Sequence, residues 1–225
     1  MQHLGYGVLA YDVAHLLGGA ALVASFVLLY QRRIPALINT YAAQGIILAA
    51  AAAWQGHVQH AAHLYVTAAL TLFAKGAIIP VLLHRIVRAL DIRRTIETAL
   101  GVFPSMVLGV VLVALAIEVV LPTTLGAATL AREDLAFALS VVLLGLLMMI
   151  TRRTAITQVI GFLSMENGLI LAAVGVAGMP LVVEISGAFL VLAIFFVFGV
   201  FVFRIRERFD SLDVSHLDRV GEAPR

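Results

Sequence analysis

Cysteine is absent from this chain of 225 residues, and charge is scarce: Asp, Glu, Lys and Arg together make up 12% of it. Without a thiol there is no disulfide, no thiolate zinc site and no cysteine-held iron–sulfur cluster within the chain. A metal-bearing redox subunit of the usual thiolate kind is excluded with them, and no cofactor is expected. Soluble domains are about a quarter charged and about half apolar, whereas 62% of the residues here are hydrophobic and the mean hydropathy is +1.06. A water-soluble core of this size cannot bury so much apolar surface, so the solvent has to be lipid. Signatures of soluble enzyme chemistry are missing too: there is no P-loop, no strand-flanked glycine fingerprint, no nucleophile elbow and no His-Glu-x-x-His helix. The start, Met1-Gln2-His3-Leu4-Gly5, has no positive n-region, so the first apolar segment is expected to remain as a helix.

What is present is a series of long apolar runs. A span needs about 20 mostly apolar residues. Seven are read: Val8–Tyr30, Ile34–Trp54, Leu64–His84, Phe103–Val120, Leu135–Ile150, Ala155–Ala177 and Leu181–Phe203. None alternates with period two, which favours helices over barrel strands. The expected fold is all-α: a polytopic transmembrane bundle over residues 1–203 and a short tail over residues 204–225. Thirteen of the fifteen basic residues fall in alternate connections: Arg32 and Arg33; Arg85, Arg88, Arg93 and Arg94; Arg152 and Arg153; then Arg204, Arg206, Arg208, Arg219 and Arg225. Basic residues that flank spans in this way report topology rather than a nucleic-acid partner. The positive-inside rule makes the arginine side cytoplasmic, so seven spans put the N-terminus outside and the C-terminus inside. The membrane implied is the bacterial cytoplasmic one.

Gln44-Gly45-Ile46-Ile47-Leu48-Ala49-Ala50 reads like Asn167-Gly168-Leu169-Ile170-Leu171-Ala172-Ala173. That points to a parallel repeat, residues 34–94 against 153–210, although helices rich in Ala, Leu and Ile also converge by chance. Gly18, Gly19, Gly45, Gly161 and Gly168 are read as sites of close helix packing. In the tail, Phe209, Leu212, Val214, Leu217 and Val220 form an intermittent apolar face, suited to docking a partner or left as a frayed end.

An ionisable side chain in mid-span costs at least about 2.5–3.5 kcal/mol on insertion scales, so it faces a cavity, a partner or an ion path. Glu166 lies near the middle of the sixth span, followed by Asn167. Lys75 lies deep in the third, with Thr67 and Thr71 on roughly its face. A glutamate–lysine array can pass protons by switching which ion pair forms; a hydrogen-bonded glutamate that only fixes packing is the other reading. Glu118 and Glu184 sit close to the outer ends of the fourth and seventh spans, and Asp12 and His15 in the outer part of the first. These seven residues are the candidate proton pathway. His57, His60 and His63 are spaced by three, but His57 and His63 point about 240° apart on a helix, so solvated histidines are favoured over a metal site.

Two stretches carry a family resemblance. Arg152-Arg153-Thr154-Ala155-Ile156-Thr157-Gln158-Val159-Ile160-Gly161-Phe162-Leu163-Ser164-Met165-Glu166-Asn167-Gly168 and Phe203-Arg204-Ile205-Arg206-Glu207-Arg208-Phe209-Asp210-Ser211-Leu212 resemble the hydrogenase-4 component E family. The region from Leu72 through Lys75, Pro80 and His84 to Arg94 is similar to the third helix of that family. More distantly, the Arg-Arg…Ile-Gly…Glu…Asn pattern resembles the small three-helix antiporter-like subunit of respiratory complex I. There the carboxylate follows the glycine by two residues; here Leu163 occupies that place, and Glu166 lies about one turn on along nearly the same face. The resemblance implies a non-catalytic membrane subunit of an energy-converting oxidoreductase that assists proton translocation and scaffolds the membrane arm. Antiporter-like subunits and a soluble redox arm would be its partners. A subunit of a multi-subunit cation/proton antiporter, and a freestanding small transporter, are the readings set against it.

Overall fold

Hydrocarbon offers a backbone no hydrogen bonds, so a chain inside it has to satisfy its amides internally. The computed structural model describes residues 2–89, 96, 98–124 and 129–175, and they are almost entirely helical. The elements are α1 (Gln2–Tyr30), α2 (Ile34–Val58), α3 (Ala62–Thr71), a π-helical stretch (Leu72–Ile78), α4 (Ile79–Ala89), α5 (Val102–Thr123), α6 (Thr129–Thr151) and α7 (Ala155–Gly175). Among the described residues there is no strand, only an isolated bridge between Thr98 and Arg152. Six helical stretches are long and apolar enough to cross a membrane: Tyr11–Tyr30, Ile34–Val58, Ala62–Arg88, Val102–Pro122, Arg132–Thr151 and Ala155–Gly175. The protein is thus a multi-pass, all-α membrane protein by length and composition. The expected seventh span, residues 181–203, lies outside the described residues, as do Glu184, the tail and the repeat beyond residue 175.

The third span departs from a plain α-helix. Its buried positions Thr71, Lys75, Ile79, Leu83 and Val87 recur every four residues, whereas an α-helix turns every 3.6. A π turn takes in an extra residue, and the one over Leu72–Ile78 keeps this stripe facing the bundle across Lys75. The start of α2 needs less adjustment: Pro35 falls in its first turn, where the missing amide hydrogen has no helical partner to lose.

α2 lies centrally, packed against α1, α3, the π segment and α7, while α6 packs on α7, α5 and α1. The α6–α7 approach is close because of paired glycines. A Cβ on Gly145 would stand 2.5 Å from the Met165 backbone nitrogen, and one on Gly161 3.0 Å from the Met149 nitrogen. Gly18 abuts the Phe137 ring, Gly45 the Lys75 backbone and Gly168 the Val142 side chain. Gly19 departs from the expectation, for among the described residues nothing lies within 4 Å of where its Cβ would be. Among the described spans α5 is the least buried, and it turns Phe103, Val107, Val110, Val111 and Leu115 outward.

The arginine-bearing connections converge on one end of the bundle. Buried Arg152 donates through Nη2 to the carbonyls of Leu28 and Leu29, at 3.1 and 2.7 Å, and so closes the C-terminal turn of α1, where a cation also meets the negative end of the helix dipole. Burial pushes its guanidinium below the ordinary arginine range, but that range lies so far above neutrality that the charge persists. Amides of Ile96 and Ala99 bond to the carbonyls of Arg32 and Thr151 at 2.9 and 2.7 Å, tying the α4–α5 connection to the same end. At the opposite end Arg132 donates to the carbonyl of Leu121 at 2.9 Å, which caps α5.

Because the methyl of a Gly145→Ala variant would meet backbone rather than a mobile side chain, overpacking should cost about 1–3 kcal/mol. Thermal denaturation in mild detergent should show a clear fall in Tm for Gly145→Ala and almost none for Gly19→Ala; equal shifts would contradict the packing.

Candidate functional site

Ionisable groups on apolar helices gain most by meeting one another, and the centre of the bundle is where this happens. Lys75, on the π segment, is 4% exposed, and Glu166 and Asn167, on α7, are 8% and 2% exposed. The Lys75 ammonium stands 3.2 Å from Glu166 Oε2 and donates to Asn167 Oδ1 at 2.8 Å. Asn167 donates in turn to Gln44 Oε1 on α2 at 3.1 Å. Gln44 donates to the Ser25 hydroxyl on α1 at 2.8 Å, and Ser25 to the carbonyl of Ala21 at 2.9 Å. A continuous polar chain thus crosses from the π segment through α7 and α2 to α1. Gln44 and Asn167, the matching polar positions of the two similar segments, bond to each other inside it.

The local backbone explains how Lys75 reaches this place. Gly45 lets α2 approach until a Cβ there would lie 3.0 Å from the Lys75 carbonyl carbon. Consecutive residues Glu166 and Asn167 splay around the ammonium, one offering charge and the other an amide oxygen. Among the described residues, the side-chain oxygens of Tyr41 and Ser164 have no hydrogen-bond partner, and those of Glu166 have none beyond the Lys75 ammonium. These are polar groups already stripped of water. A pair of unit charges in such surroundings interacts far more strongly than in water, so adding or removing one proton or one nearby charge changes its energy substantially. Transfer of a proton or a switch of ion-pair partner is the chemistry this arrangement can perform.

The other expected pathway residues fall elsewhere. Asp12 and His15 are exposed near the start of α1, where His15 Nδ1 lies 2.8 Å from Glu133 Oε2. Glu118 is exposed on the outward face of α5, apart from the central chain. Glu184 lies outside the described residues. The histidines of the α2–α3 connection are divided between the end of α2 (His57), the turn (His60, φ 52°) and the start of α3 (His63). Among the described residues no three His, Asp or Glu side chains are placed to hold one metal ion.

The residues missed in the sequence are Gln44, Ser25, Gln55, Glu133 and Asp134. Asp134 looked like a loop residue because the apolar run begins at Leu135, but α6 starts at Thr129 and Asp134 is 6% exposed. Its spacing to Ala138 and Val141, both buried, is the i, i+4, i+7 signature of one helix face. Gln44 and Gln55 share a face of α2 in the same way, with Leu48, Ala51 and Ala52 between them.

No family model matches the chain, and no solved structure matches it. A relative in Mycobacterium tuberculosis, the uncharacterized protein Rv0085, is 32% identical over 203 residues, covering 88% of this chain and 91% of its own.

Removing one partner of a buried ion pair costs about 3–5 kcal/mol, while replacing both by apolar groups is often close to neutral. Lys75→Met and Glu166→Leu should each lower stability sharply, and the double variant should recover most of the loss. Additive effects across that cycle, read by denaturation in detergent, would show that the two side chains are not coupled.

Proposed function

The chain belongs to the same family as this mycobacterial protein, and we propose that it is a membrane subunit, with no redox centre of its own, of an energy-converting oxidoreductase like hydrogenase-4 or complex I. In this reading the subunit lies in the bacterial cytoplasmic membrane with its arginine-rich end facing the cytoplasm, as the positive-inside rule requires. Its share of the work is to assist proton translocation and to bridge neighbouring membrane subunits.

The observation that carries this reading is the buried contact of 3.2 Å between Lys75 and Glu166, set on a π-helical interruption. Short π segments inside helices occur frequently at functional sites, and ionisable pairs within spans mark ion pathways and relays. The stretch that resembles hydrogenase-4 component E, Arg152 to Gly168, contains both the guanidinium that closes α1 and the two residues that hold Lys75. The outward apolar face of α5, with Glu118 on it, supplies surface for a neighbouring membrane subunit.

Mild-detergent purification of the C-terminally tagged chain, with mass spectrometry of what accompanies it, should recover large antiporter-like subunits together with a nickel–iron or quinone-linked soluble arm. Antiporter-like subunits without any redox arm would favour a multi-subunit cation/proton antiporter instead. A stable chain recovered alone would overturn both. In complexes that assemble, Glu166→Gln should slow proton pumping per complex about tenfold or more, the effect of raising one transfer barrier by about 1.4 kcal/mol.

A further inference from the structure

The end of the bundle away from the arginines holds a second polar group that the central pair does not use. Glu133 and Asp134 are adjacent on α6 but serve different neighbours. Glu133 faces α1, where it accepts the Tyr11 hydroxyl hydrogen and meets His15, whose side chain is 51% exposed. Asp134 is turned inward and accepts from Gln55 Nε2 at 2.9 Å. Gln59 donates to Gln55 Oε1 at 3.2 Å and to the Val174 carbonyl at 3.1 Å, which closes a polar layer across α6, α2 and α7.

Beside the Asp134 carboxyl lies a cavity of about 10 Å³ lined by Ala14, Ala51, Gln55, Asp134, Leu171 and Val174. That is close to the space one water needs, and the site offers it a carboxylate and an amide. Gly175 leaves the carboxylate room, because a Cβ there would come within 3.3 Å of Asp134 Oδ2. On the side towards Lys75 the polar layer gives way to a mostly apolar one, in which Ala21, Leu48, Ala51, Ala138, Val141 and Leu171 pack together, with the buried hydroxyls of Thr67, Thr71 and Ser140 at about the same level. Gln55 and Gln44 are eleven residues apart on α2, so the two polar layers are separated by about 16 Å of helix.

We propose that Asp134 is a proton-binding site loaded from the arginine-poor face, by way of His15, Glu133 and the water-sized cavity, and insulated from Lys75–Glu166 by the apolar layer. The charged and titratable groups around it are Glu133 and Arg132 on its own helix and Tyr11, Asp12 and His15 on α1. α2 contributes the amides of Gln55 and Gln59, and the described part of α7 contributes only the Val174 carbonyl and Gly175. His15 and Glu133 are within reach of solvent and of each other, so they can collect a proton; Asp134 is the first buried carboxyl beyond them. This site stands whether or not the chain assembles into a larger complex.

Two measurements on the full-length protein in lipid test it. Infrared difference spectra across a pH step should show a protonated-carboxyl band that Asp134→Asn removes and Glu166→Gln keeps. A carboxyl-region spectrum left unchanged by Asp134→Asn, or an Asp134-dependent band that disappears in Glu166→Gln, overturns the proposal. The chain has no cysteine of its own, so Asp134→Cys and Leu48→Cys each carry a single thiol. Silver ion added at the arginine-poor face should block the thiol at position 134 at least tenfold faster than the one at position 48. Equal rates at the two positions, or faster reaction from the arginine-rich face, would remove either the insulating layer or the direction of loading.

Discussion

A lysine and a glutamate held 3.2 Å apart in a bundle solvated by hydrocarbon set the conditions that the surrounding residues have to meet. Each charge alone would be expensive there; together they are neutral, yet they still need hydrogen-bond partners to offset lost hydration. The arrangement of neighbouring helices follows from that need. The π turn brings Lys75 into the buried stripe, Gly45 admits α2 against it, and Asn167 takes up a second ammonium hydrogen. Gln44 and Ser25 then occupy the remaining amide groups, so that the charge pair extends into a polar chain anchored on α1. Such networks stabilise when every member is satisfied and cost heavily when one is not, which makes the chain depend on all four elements at once.

How far this was legible in the sequence differs residue by residue. Lys75 and Glu166 announce themselves because a charge inside an apolar run has few innocent explanations. Their meeting is a tertiary fact, since 91 positions separate them and neither span carries a sign of which neighbour it faces. An uncharged amide hardly lowers the hydropathy of an alanine-rich helix, so Gln44 stands out only through the repeat and Gln55 not at all, although the two share a face with Leu48, Ala51 and Ala52. Asp134 was hidden by the habit of starting a span at its first apolar residue. The spacing of four in the third span foreshadowed the π turn, but it takes the structure to show that the backbone, and not the stripe, gives way. Gly19 shows that a glycine in a membrane helix need not mark a close helix contact.

The apolar layer between the two polar ones is built largely from small residues. Ala21, Ala51 and Ala138 stand with Leu48, Val141 and Leu171, and helices that meet through alanine and glycine come close enough to leave little room for water. The polar layers are organised differently in turn. The central one is buried and carries opposite charges; the one near the arginine-poor end is built around the buried carboxyl of Asp134 with amide partners, next to Glu133, which meets exposed His15. A buried pair and a second buried acid, separated by a mostly apolar partition, are what the proposed path needs if protons are to stop at defined places and not leak along a column of water.

The partition also has an electrical meaning. About 16 Å of helix between the two polar layers is roughly half of a hydrocarbon core about 30 Å thick. A full membrane crossing is worth about 2.3 kcal/mol per elementary charge for each 100 mV. A proton carried alone between Asp134 and the central pair would therefore do, or require, about 1.2 kcal/mol of work per 100 mV. On the proposed path the step over the partition would be voltage-sensing, whereas proton exchange at Asp134, near the arginine-poor end, would respond far less to the potential across the membrane.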